Sequence, residues 1–275
     1  MPELPEVEMR RLYLEATSFD QPIENITVED TKLLTTEFGV LLDKLRTRRF
    51  TGTERVGKNL FITTDDPAVI LRMHFGMTGD LVYFHKSVDY PKHARIIFFF
   101  RNGFCLGFVC PRKFERIGLV TSIDDYLTSK KIAPDALSIT LETLTAKLKK
   151  RRSPIKPVLL DQATTAGLGN WIVDEVLFQA KIHPSYISAN LTDNQIVDLF
   201  HAIHFVLNTA IANEATYRDF PASFLIHARQ WDVSPHAGVN AHQFCPRCGT
   251  KIDVIEVGGR TTYYCPFEQV LSGTL

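Results

Sequence analysis

Hydrophobic and polar positions follow two different periods along the chain, and the change falls near residue 130. Residues 4–16 have helical spacing, and residues 25–120 then hold short apolar or alternating runs bounded by Asp, Pro and Gly, which are typical of β-strands. Asn102-Gly103 separates two of these runs and is a strong hairpin signal. The first half therefore predicts a two-layer β domain with one helix packed beside it.

After residue 130 the strand pattern gives way to helical periodicity. Apolar residues recur at helical spacing over 138–151, over 171–182 and, in the longest run, over 191–213. The C-terminal end alternates again on both sides of Gly258-Gly259, which predicts a small hairpin. The whole pattern indicates an α+β protein with a β-rich first half and a helical second half.

The charge balance changes this picture only locally. The 275 residues include 31 Lys and Arg and 31 Asp and Glu, and a neutral total argues mildly against a nucleic-acid partner. Residues 44–58 nevertheless carry six bases and one acid, and residues 147–156 carry six bases and no acid. Such runs are either solvated faces or parts of a basic stripe that binds phosphates.

Hydropathy and the N-terminal segment bear on location. No apolar run approaches membrane-span length, and residues 2–11 carry acids where a secretory signal has bases and an apolar core. We expect a cytoplasmic protein, and one associated with the nucleoid if the source is bacterial.

The five cysteines fall into two groups. Cys105 and Cys110 lie in an apolar, strand-like stretch and predict buried thiols, not a disulfide framework. Cys245 and Cys248 are separated by two residues, and Cys265 follows after sixteen more. Because a Cys-x-x-Cys turn aims two thiolates at one cation, this second group predicts a zinc site.

The sequence leaves the fourth zinc ligand open. Glu268 stands where a zinc ribbon would place a fourth cysteine, and a carboxylate oxygen can complete the coordination. His242, three residues before Cys245, is an alternative ligand. A hairpin that packs three cysteines without a metal is the remaining alternative.

A glycine-rich turn at 164–170 opens one of the predicted helices. Backbone N–H groups at such a helix start suit a phosphate, and Gly167 and Gly169 allow a close approach of the backbone. Asn170 can add a side-chain hydrogen bond. A plain helix cap is the alternative interpretation of this turn.

Several segments together resemble the formamidopyrimidine-DNA glycosylases, a family of base-excision repair enzymes. The matching segments occur in family order along nearly the whole chain: PELPEVE at 2–8, GK at 57–58, HFGMTG at 74–79, PRKF at 111–114, LLDQ, AGLGN and DEVLF within 159–178, and GRTTYYCP at 259–266. The resemblance implies an N-terminal β-sandwich domain, a helix–two-turns–helix domain and a zinc-finger hairpin. We expect their boundaries at 1–131, 132–236 and 237–272.

The resemblance also implies an activity. The family removes oxidised purines such as 8-oxoguanine and formamidopyrimidines from double-stranded DNA and then cleaves the strand, so we expect a DNA glycosylase and abasic-site lyase that works as a monomer. Pro2 would be the nucleophile once Met1 is removed, because an amine can form a Schiff base with the sugar. An α-amino group titrates near ~7.7–8.0, against ~10.4 for lysine, so more of it is free base at neutral pH. Glu3 would transfer protons, and Lys58 and Arg260 would assist the two eliminations.

The remaining matched positions would contact DNA. Met77, Arg112 and Phe114 match the residues that fill the gap left by the extruded base, although an isolated Met or Phe would more often pack in a core. The other matched positions are expected to contact phosphates or to lie near contact positions, and they are His74, His93, Arg151, Lys156 and Asn170.

The chain departs from the family pattern beyond Glu268. Cys110 and Glu115 flank the PRKF segment where the family usually has Asp and Gly. Asn213 and Glu214 replace two glycines in the loop that covers the flipped base and are less flexible there. The tyrosine-glycine-arginine run that precedes the zinc cysteines in the family is also missing. Two alternatives therefore stay open: an endonuclease VIII-like glycosylase for oxidised pyrimidines, and a damaged-DNA-binding relative with weak turnover.

Overall fold

The computed structural model describes residues 2–229 and 243–271. It divides into two compact units, Met1–Lys131 and Ile132–Leu275. The predicted boundary between 236 and 237 and the predicted end at 272 both lie outside the described residues.

Helix α1, Leu4–Ser18, opens the first unit. It buries Leu4, Val7 and Leu14 at helical spacing and packs against strands of both sheets. The Glu3 backbone N–H donates to Oε2 of Glu6 at 2.9 Å, so the first turn is closed by its own acid. The predicted helix over 4–16 is confirmed and extends two residues further.

Eight strands of the first unit form two antiparallel four-stranded sheets. One sheet has the order β1-β6-β7-β5 and the other β2-β3-β4-β8. The strands are β1 Ile23–Val28, β2 Phe50–Val56, β3 Asn59–Thr64, β4 Ile70–His74, β5 Asp80–His85, β6 Ala94–Phe100, β7 Phe104–Val109 and β8 Arg116–Val120. Gly103 takes φ +86° in the turn between β6 and β7, which confirms the hairpin predicted at Asn102-Gly103.

The main hydrophobic core of this unit lies between the two sheets. Phe50 of one sheet packs edge-on against Phe98 and Phe100 of the other, with ring centroids 5.7 and 6.3 Å apart. Two short helices complete this unit, α2 Phe38–Leu45 and α3 Ile123–Ser129. Helix α2 lies inside the region expected to be all strand, and it buries Leu41 and Leu45, one turn apart. The two-layer β architecture with a flanking helix is therefore confirmed.

The second unit begins with four helices. They are α4 Leu141–Lys149, α5 Ile155–Leu160, α6 Asn170–Gln179 and α7 Asp193–Ala212. Helix α6 is buried along nearly its whole length and packs against α5, α7 and the C-terminal hairpin. This hairpin consists of β9, Asp253–Val257, and β10, Arg260–Tyr264. Gly258 and Gly259 form its two-residue turn with φ +61° and +72°, which confirms the predicted hairpin.

Helix α7 is the one helix among the described residues that is long and apolar enough, by length and composition, to cross a membrane. Its mean hydropathy over an 18-residue window is 1.3. One face of α7 packs on α6 and includes the buried Leu199, Ile203 and Val206. The core helix of a globular protein can have the same composition, and 39 % of this window is buried inside the fold.

Candidate functional site

The N-terminal residues Pro2 and Glu3 lie at the start of α1. Both are buried, and Glu3 is only 2 % exposed. Because the Glu6 carboxylate accepts the backbone N–H of Glu3, the chain direction at Pro2 is fixed by the first turn of the helix. The motif therefore places Pro2, whose nitrogen would be an amine once Met1 is removed, next to a carboxyl group on a rigid element.

Lys58 lies in the two-residue turn between β2 and β3. Gly57 takes φ +59°, which a residue with a side chain rarely adopts, and Val56 pairs with Asn59 across the turn. Arg55 fastens this turn to α1, because its guanidinium donates to the Gly57 carbonyl at 3.1 Å and pairs with Glu8 at 2.8 Å. The turn that carries Lys58 is thus tied to the helix that carries Glu3.

Ion pairing sets the charge of Glu8 in this link. Burial favours the neutral acid, but hydrogen bonds from Arg11 and Arg55 outweigh it, so the pKa of Glu8 is lowered. The Glu8 carboxylate stays charged at neutral pH and holds Arg55 in place.

His74 ends β4 beside Lys58, since its register partner is Asn59. Burial first, and then the charges of Arg72, Lys58 and Arg116, lower the pKa of His74 to about 4. The Gly76 backbone N–H donates to Nδ1 of His74 at 3.2 Å, which leaves the ring proton on Nε2. His74 is therefore a neutral hydrogen-bond donor within a group of cations.

Two loops of the first unit present the predicted insertion residues. Met77 lies in the turn 75–79 and is 36 % exposed, and Phe114 lies in the loop 110–116 and is 51 % exposed. The guanidinium of the exposed Arg112 lies 5.2 Å from the Phe114 ring centroid. Core packing, the alternative for Met77 and Phe114, does not describe these side chains.

His93 anchors one end of the loop 110–116. Its carbonyl accepts the backbone N–H of Cys110 at 2.8 Å, and its own φ is +66°. Arg95 donates to the Cys110 carbonyl at 3.0 Å. Cys110 itself is buried, and burial, with the nearby Glu115, raises its pKa to about 12, so it remains a thiol.

Arg260 occupies the first position of β10, directly after the Gly258-Gly259 turn, and is exposed. The carbonyl of the next residue, Thr261, accepts two hydrogen bonds, from Nζ of Lys156 at 2.9 Å and from Nδ2 of Asn170 at 3.0 Å. The hairpin tip that carries Arg260 is thereby fixed to α5 and to the start of α6.

The predicted DNA contact of Lys156 needs a correction. Lys156 is 0 % exposed, and its ammonium pairs with the buried Asp174 at 2.7 Å. Asp174 also accepts the backbone N–H of Tyr263 at 3.3 Å and pairs with Arg229 at 3.3 Å. A lysine enclosed by these partners supports the hairpin from inside and does not reach a phosphate from this position.

The glycine-rich turn precedes α6 as expected. Gly167 has φ +110°, and Gly169 is an N-cap without a side-chain hydrogen bond, so the first N–H groups of α6 suit an anion. Asn170 is turned towards Thr261, and its buried Oδ1 has no hydrogen-bond partner within the described residues. Arg151, before α5, is exposed and pairs with Asp161.

The backbone of the loop after α7 is less flexible than it would be with the two glycines that the family has in this loop. Glu214 and Ala215 both adopt left-handed backbone angles, with φ +51° and +53°. Trp171, Tyr217 and Phe220 then pack against one another with ring centroids 5.5 to 5.8 Å apart. Tertiary packing therefore holds non-glycine residues in a conformation that glycine adopts more easily.

The sulfur atoms of Cys245, Cys248 and Cys265 lie within 4.8 Å of one another. This spacing fits thiolates that share one zinc ion at about 2.3 Å each. Burial raises the pKa of Cys265 to about 12, so this thiol would lose its proton on binding zinc, whereas a hydrogen bond with the Thr250 hydroxyl lowers the pKa of Cys248 to about 7. The three cysteines therefore fit zinc.

Glu268 is not in this group of ligand atoms. Its carboxylate pairs instead with Lys181 at 3.3 Å and with Arg247 at 3.7 Å. His242, the alternative fourth ligand, lies outside the described residues.

Comparison with known proteins places this geometry in a family. Family models match in chain order: the formamidopyrimidine-DNA glycosylase N-terminal domain at residues 1–117, the H2TH domain of the same enzyme at 132–220, and the zinc finger found in FPG and IleRS at 243–266. The chain is 36 % identical to formamidopyrimidine-DNA glycosylase of Pelotomaculum thermopropionicum over 97 % of its own length and 98 % of the relative. This chain belongs to the formamidopyrimidine-DNA glycosylase family.

Other members of the family give the same picture. The enzyme of Pediococcus pentosaceus is 34 % identical over 98 % of this chain and 100 % of the relative. The Lactococcus lactis enzyme bound non-covalently to DNA with an abasic site has a TM-score of 0.88 at 30 % identity, with 98 % of this chain and 100 % of that chain covered. The same enzyme with DNA that contains a formamidopyrimidine lesion has a TM-score of 0.86 at 30 % identity and the same coverage. The fold class is confirmed, and the family zinc finger together with the three clustered cysteines supports zinc binding at this site.

Two ion pairs that support the site could not be predicted from the sequence. Arg55 pairs with Glu8, and Lys156 pairs with the buried Asp174. In both pairs the two residues lie far apart in the chain. Asp174 in the DEVLF segment does indicate such a pair, because a charged residue within an apolar helix needs a buried partner.

Proposed function

We propose that this protein is a bifunctional DNA glycosylase and abasic-site lyase that removes oxidised purines from double-stranded DNA. The observation that carries this proposal is the family match along the whole chain, with the Pro2-Glu3 pair held at the start of α1. Relatives of similar fold were solved with DNA that contains formamidopyrimidine and 8-oxoguanine lesions, which favours purines over oxidised pyrimidines. Its substrate would be double-stranded DNA, and we place the protein in the cytoplasm, associated with the nucleoid if the source is bacterial.

Covalent catalysis would begin at the Pro2 nitrogen. With Met1 removed, its lone pair attacks C1′ of the damaged nucleotide, the glycosidic bond breaks, and the base leaves with its bonding electrons and a proton. Ring opening then gives an iminium ion between Pro2 and the sugar. Loss of a proton from C2′ expels the 3′ phosphate, and a second elimination expels the 5′ phosphate.

Glu3 would transfer protons in these steps. It adjoins Pro2 and is buried, so its carboxyl group can protonate the sugar oxygen during ring opening. Lys58 and the neutral His74 would bind phosphate, with Lys58 also acting as acid in the first elimination. Arg260, exposed at the hairpin tip, would hold the phosphate next to the lesion in the second elimination.

Extrusion of the base leaves a gap in the duplex. Met77 and Phe114 would enter as apolar wedges, and the Arg112 guanidinium would hydrogen-bond the unpaired base opposite the lesion. Their exposure on two neighbouring loops supports this assignment. His93, Arg151 and Asn170 would contact the DNA backbone and position it.

The three proposed domains would end at residues 131, 236 and 272.

Borohydride trapping tests the proposal. Borohydride reduces the iminium ion to a stable amine, so protein incubated with abasic-site DNA becomes cross-linked, and peptide mass spectrometry locates the attachment. We expect the adduct on Pro2 and a much slower lyase step in Pro2→Gly. An adduct on another residue, or full activity with Met1 retained, contradicts the mechanism. A panel of duplexes with oxidised purines and oxidised pyrimidines then ranks the lesions.

A further inference from the structure

Glu115 is a buried acid between the two loops that present Met77 and Phe114. It is 0 % exposed, and its Oε1 lies 3.2 Å from the Thr78 hydroxyl. Its Oε2 is also buried and finds no hydrogen-bond partner within the described residues. The carboxylate therefore reaches from the end of the loop 110–116 into the turn 75–79.

Gly79 makes room for this side chain. A Cβ at Gly79 would lie 2.7 Å from Cγ of Glu115 and 2.5 Å from the Phe75 carbonyl oxygen. No residue with a side chain fits there, because it would clash with both the Glu115 side chain and the Phe75 carbonyl group. The Glu115 side chain thus packs against the backbone of the turn 75–79 at Gly79 and also accepts a hydrogen bond from Thr78.

Gly76 brings the two loops together at a second point. A Cβ at Gly76 would lie 2.7 Å from the Phe114 carbonyl carbon and 2.8 Å from the Glu115 backbone nitrogen, and its φ is +56°. The two loops consequently touch through backbone atoms at Gly76 and through the Glu115 side chain, whose Oε1 meets Thr78 and whose Cγ meets Gly79. Met77 lies between these two contacts, and its side chain remains exposed.

Stability alone does not explain a carboxylate at this position. A buried polar oxygen without a hydrogen-bond donor destabilises the folded state relative to an apolar group of the same shape. Within the described residues, the one hydrogen bond that the Glu115 side chain accepts comes from the hydroxyl of Thr78, the residue next to Met77. The Glu115 side chain therefore forms its hydrogen bond with the turn that carries Met77 and not with the core.

We propose that Glu115 is a positioning residue that clamps the Met77 turn to the Arg112–Phe114 loop. The clamp, which rests on the proposed function, holds Met77, Arg112 and Phe114 as one preassembled unit before DNA binds. Preassembly removes the entropic cost of ordering two loops when the base leaves the stack, so it accelerates insertion without any contact between Glu115 and DNA.

Two substitutions remove the clamp while keeping the local shape. Thr78→Val deletes the hydroxyl, and Glu115→Met deletes the carboxylate but retains a long unbranched side chain. Each is expected to slow excision of an oxidised purine from a duplex about tenfold under single-turnover conditions, which corresponds to roughly 1.4 kcal/mol. Thr78→Ser, the matched control, keeps the hydroxyl and the parent rate. A fluorescent base analogue next to the lesion reports insertion, which should slow by the same factor.

Stability and coupling separate positioning from structural damage. Glu115→Met removes a buried oxygen that has no hydrogen-bond partner within the described residues, so its thermal midpoint should equal or exceed that of the parent although its excision is slower. The double variant Thr78→Val with Glu115→Met should be no slower than either single variant, because both remove one bond.

Three outcomes overturn the clamp. They are parent-like excision in Thr78→Val and Glu115→Met, a thermal midpoint of Glu115→Met that falls below that of the parent, and losses that multiply in the double variant. These outcomes differ from failure of the proposed function, in which the parent itself forms no borohydride-trapped complex with abasic-site DNA.

Discussion

Among single residues, Glu3 separates the two activities most clearly. Base removal needs proton transfer to the sugar and base, whereas a preformed abasic sugar is already open to attack by Pro2. General acid catalysis typically contributes ~100-fold or more, so Glu3→Gln should slow excision of a damaged base by at least about 100-fold. Cleavage of abasic-site DNA should fall by less than about tenfold. Single-turnover rates on the two substrates measure this, and equal losses on both substrates would contradict the assigned role.

His74 gives a prediction about pH. The unfolded imidazole takes up a proton near pH ~6.5, and the folded imidazole does so only near its lowered pKa of about 4. The unfolded state therefore binds more protons between these values, and stability from neutral His74 is complete above about pH 6.5 and is lost as the pH falls towards 4. His74→Gln can still accept the Gly76 N–H but does not titrate. Its thermal midpoint should rise relative to the parent between pH 7 and pH 4.5, and an unchanged difference would contradict the shift.

The placement of single residues was predictable where it is encoded locally, whereas their chemical roles stay predictions. Pro2 and Glu3 lie in one short motif at the start of a helix, and the exposure of Met77 and Phe114 agrees with insertion residues. The burial of Lys156 was not predictable, because Asp174 is 18 residues away and the Thr261 carbonyl 105 residues away. A basic run in sequence shows how many cations are present but not which of them the fold encloses.

At the level of elements, the β9–β10 hairpin depends on the Lys156–Asp174 pair. Lys156→Met leaves a carboxylate enclosed with only part of its compensating charge, a change that typically costs ~3–5 kcal/mol. We expect a loss of this size in denaturant unfolding followed by tryptophan fluorescence. Lys156→Met with Asp174→Asn should recover most of it, because the amide oxygen still accepts the Tyr263 N–H. Unchanged stability in the single variant would restore the view that Lys156 reaches DNA.

The cysteine hairpin allows a direct test of its ligand set. Cys248→Ser removes one of the three clustered sulfurs and should lower the zinc content of the purified protein towards zero. Glu268→Gln should keep the parent zinc content, because its carboxylate pairs with Lys181 and Arg247. Metal analysis of both variants measures this. Zinc loss in Glu268→Gln would show that the carboxylate turns to the metal, as the sequence suggested.

Elements were predictable where turn chemistry marks their ends. Asn102-Gly103 and Gly258-Gly259 each form the turn of a hairpin, with glycine at positive φ. Helix α2 was missed because its eight residues, Phe38–Leu45, are too few to show helical periodicity among apolar runs. Only the sheets beside it decide that Leu41 and Leu45 face the same core.

For the whole molecule, a net charge of zero does not conflict with a DNA partner. The two basic stretches at 44–58 and 147–156 are balanced by acids elsewhere, and several acids neutralise arginines inside the fold, as Glu8 does for Arg55. The field that DNA meets is therefore set by the cations that stay exposed, and total charge is a poor guide to it.

Salt dependence measures those exposed cations. Each phosphate contact contributes about −0.9 to the slope of log K against log salt concentration on duplex DNA. Arg260 is exposed at the hairpin tip, so Arg260→Gln should make the slope shallower by about 0.9 in fluorescence-anisotropy titrations with abasic-analogue DNA at several salt concentrations. Lys251→Gln is the matched control, an exposed cation in the segment that leads into the same hairpin, and should keep the parent slope. Equal shifts in both variants would mean that DNA senses the total charge of the hairpin and not a defined contact at Arg260.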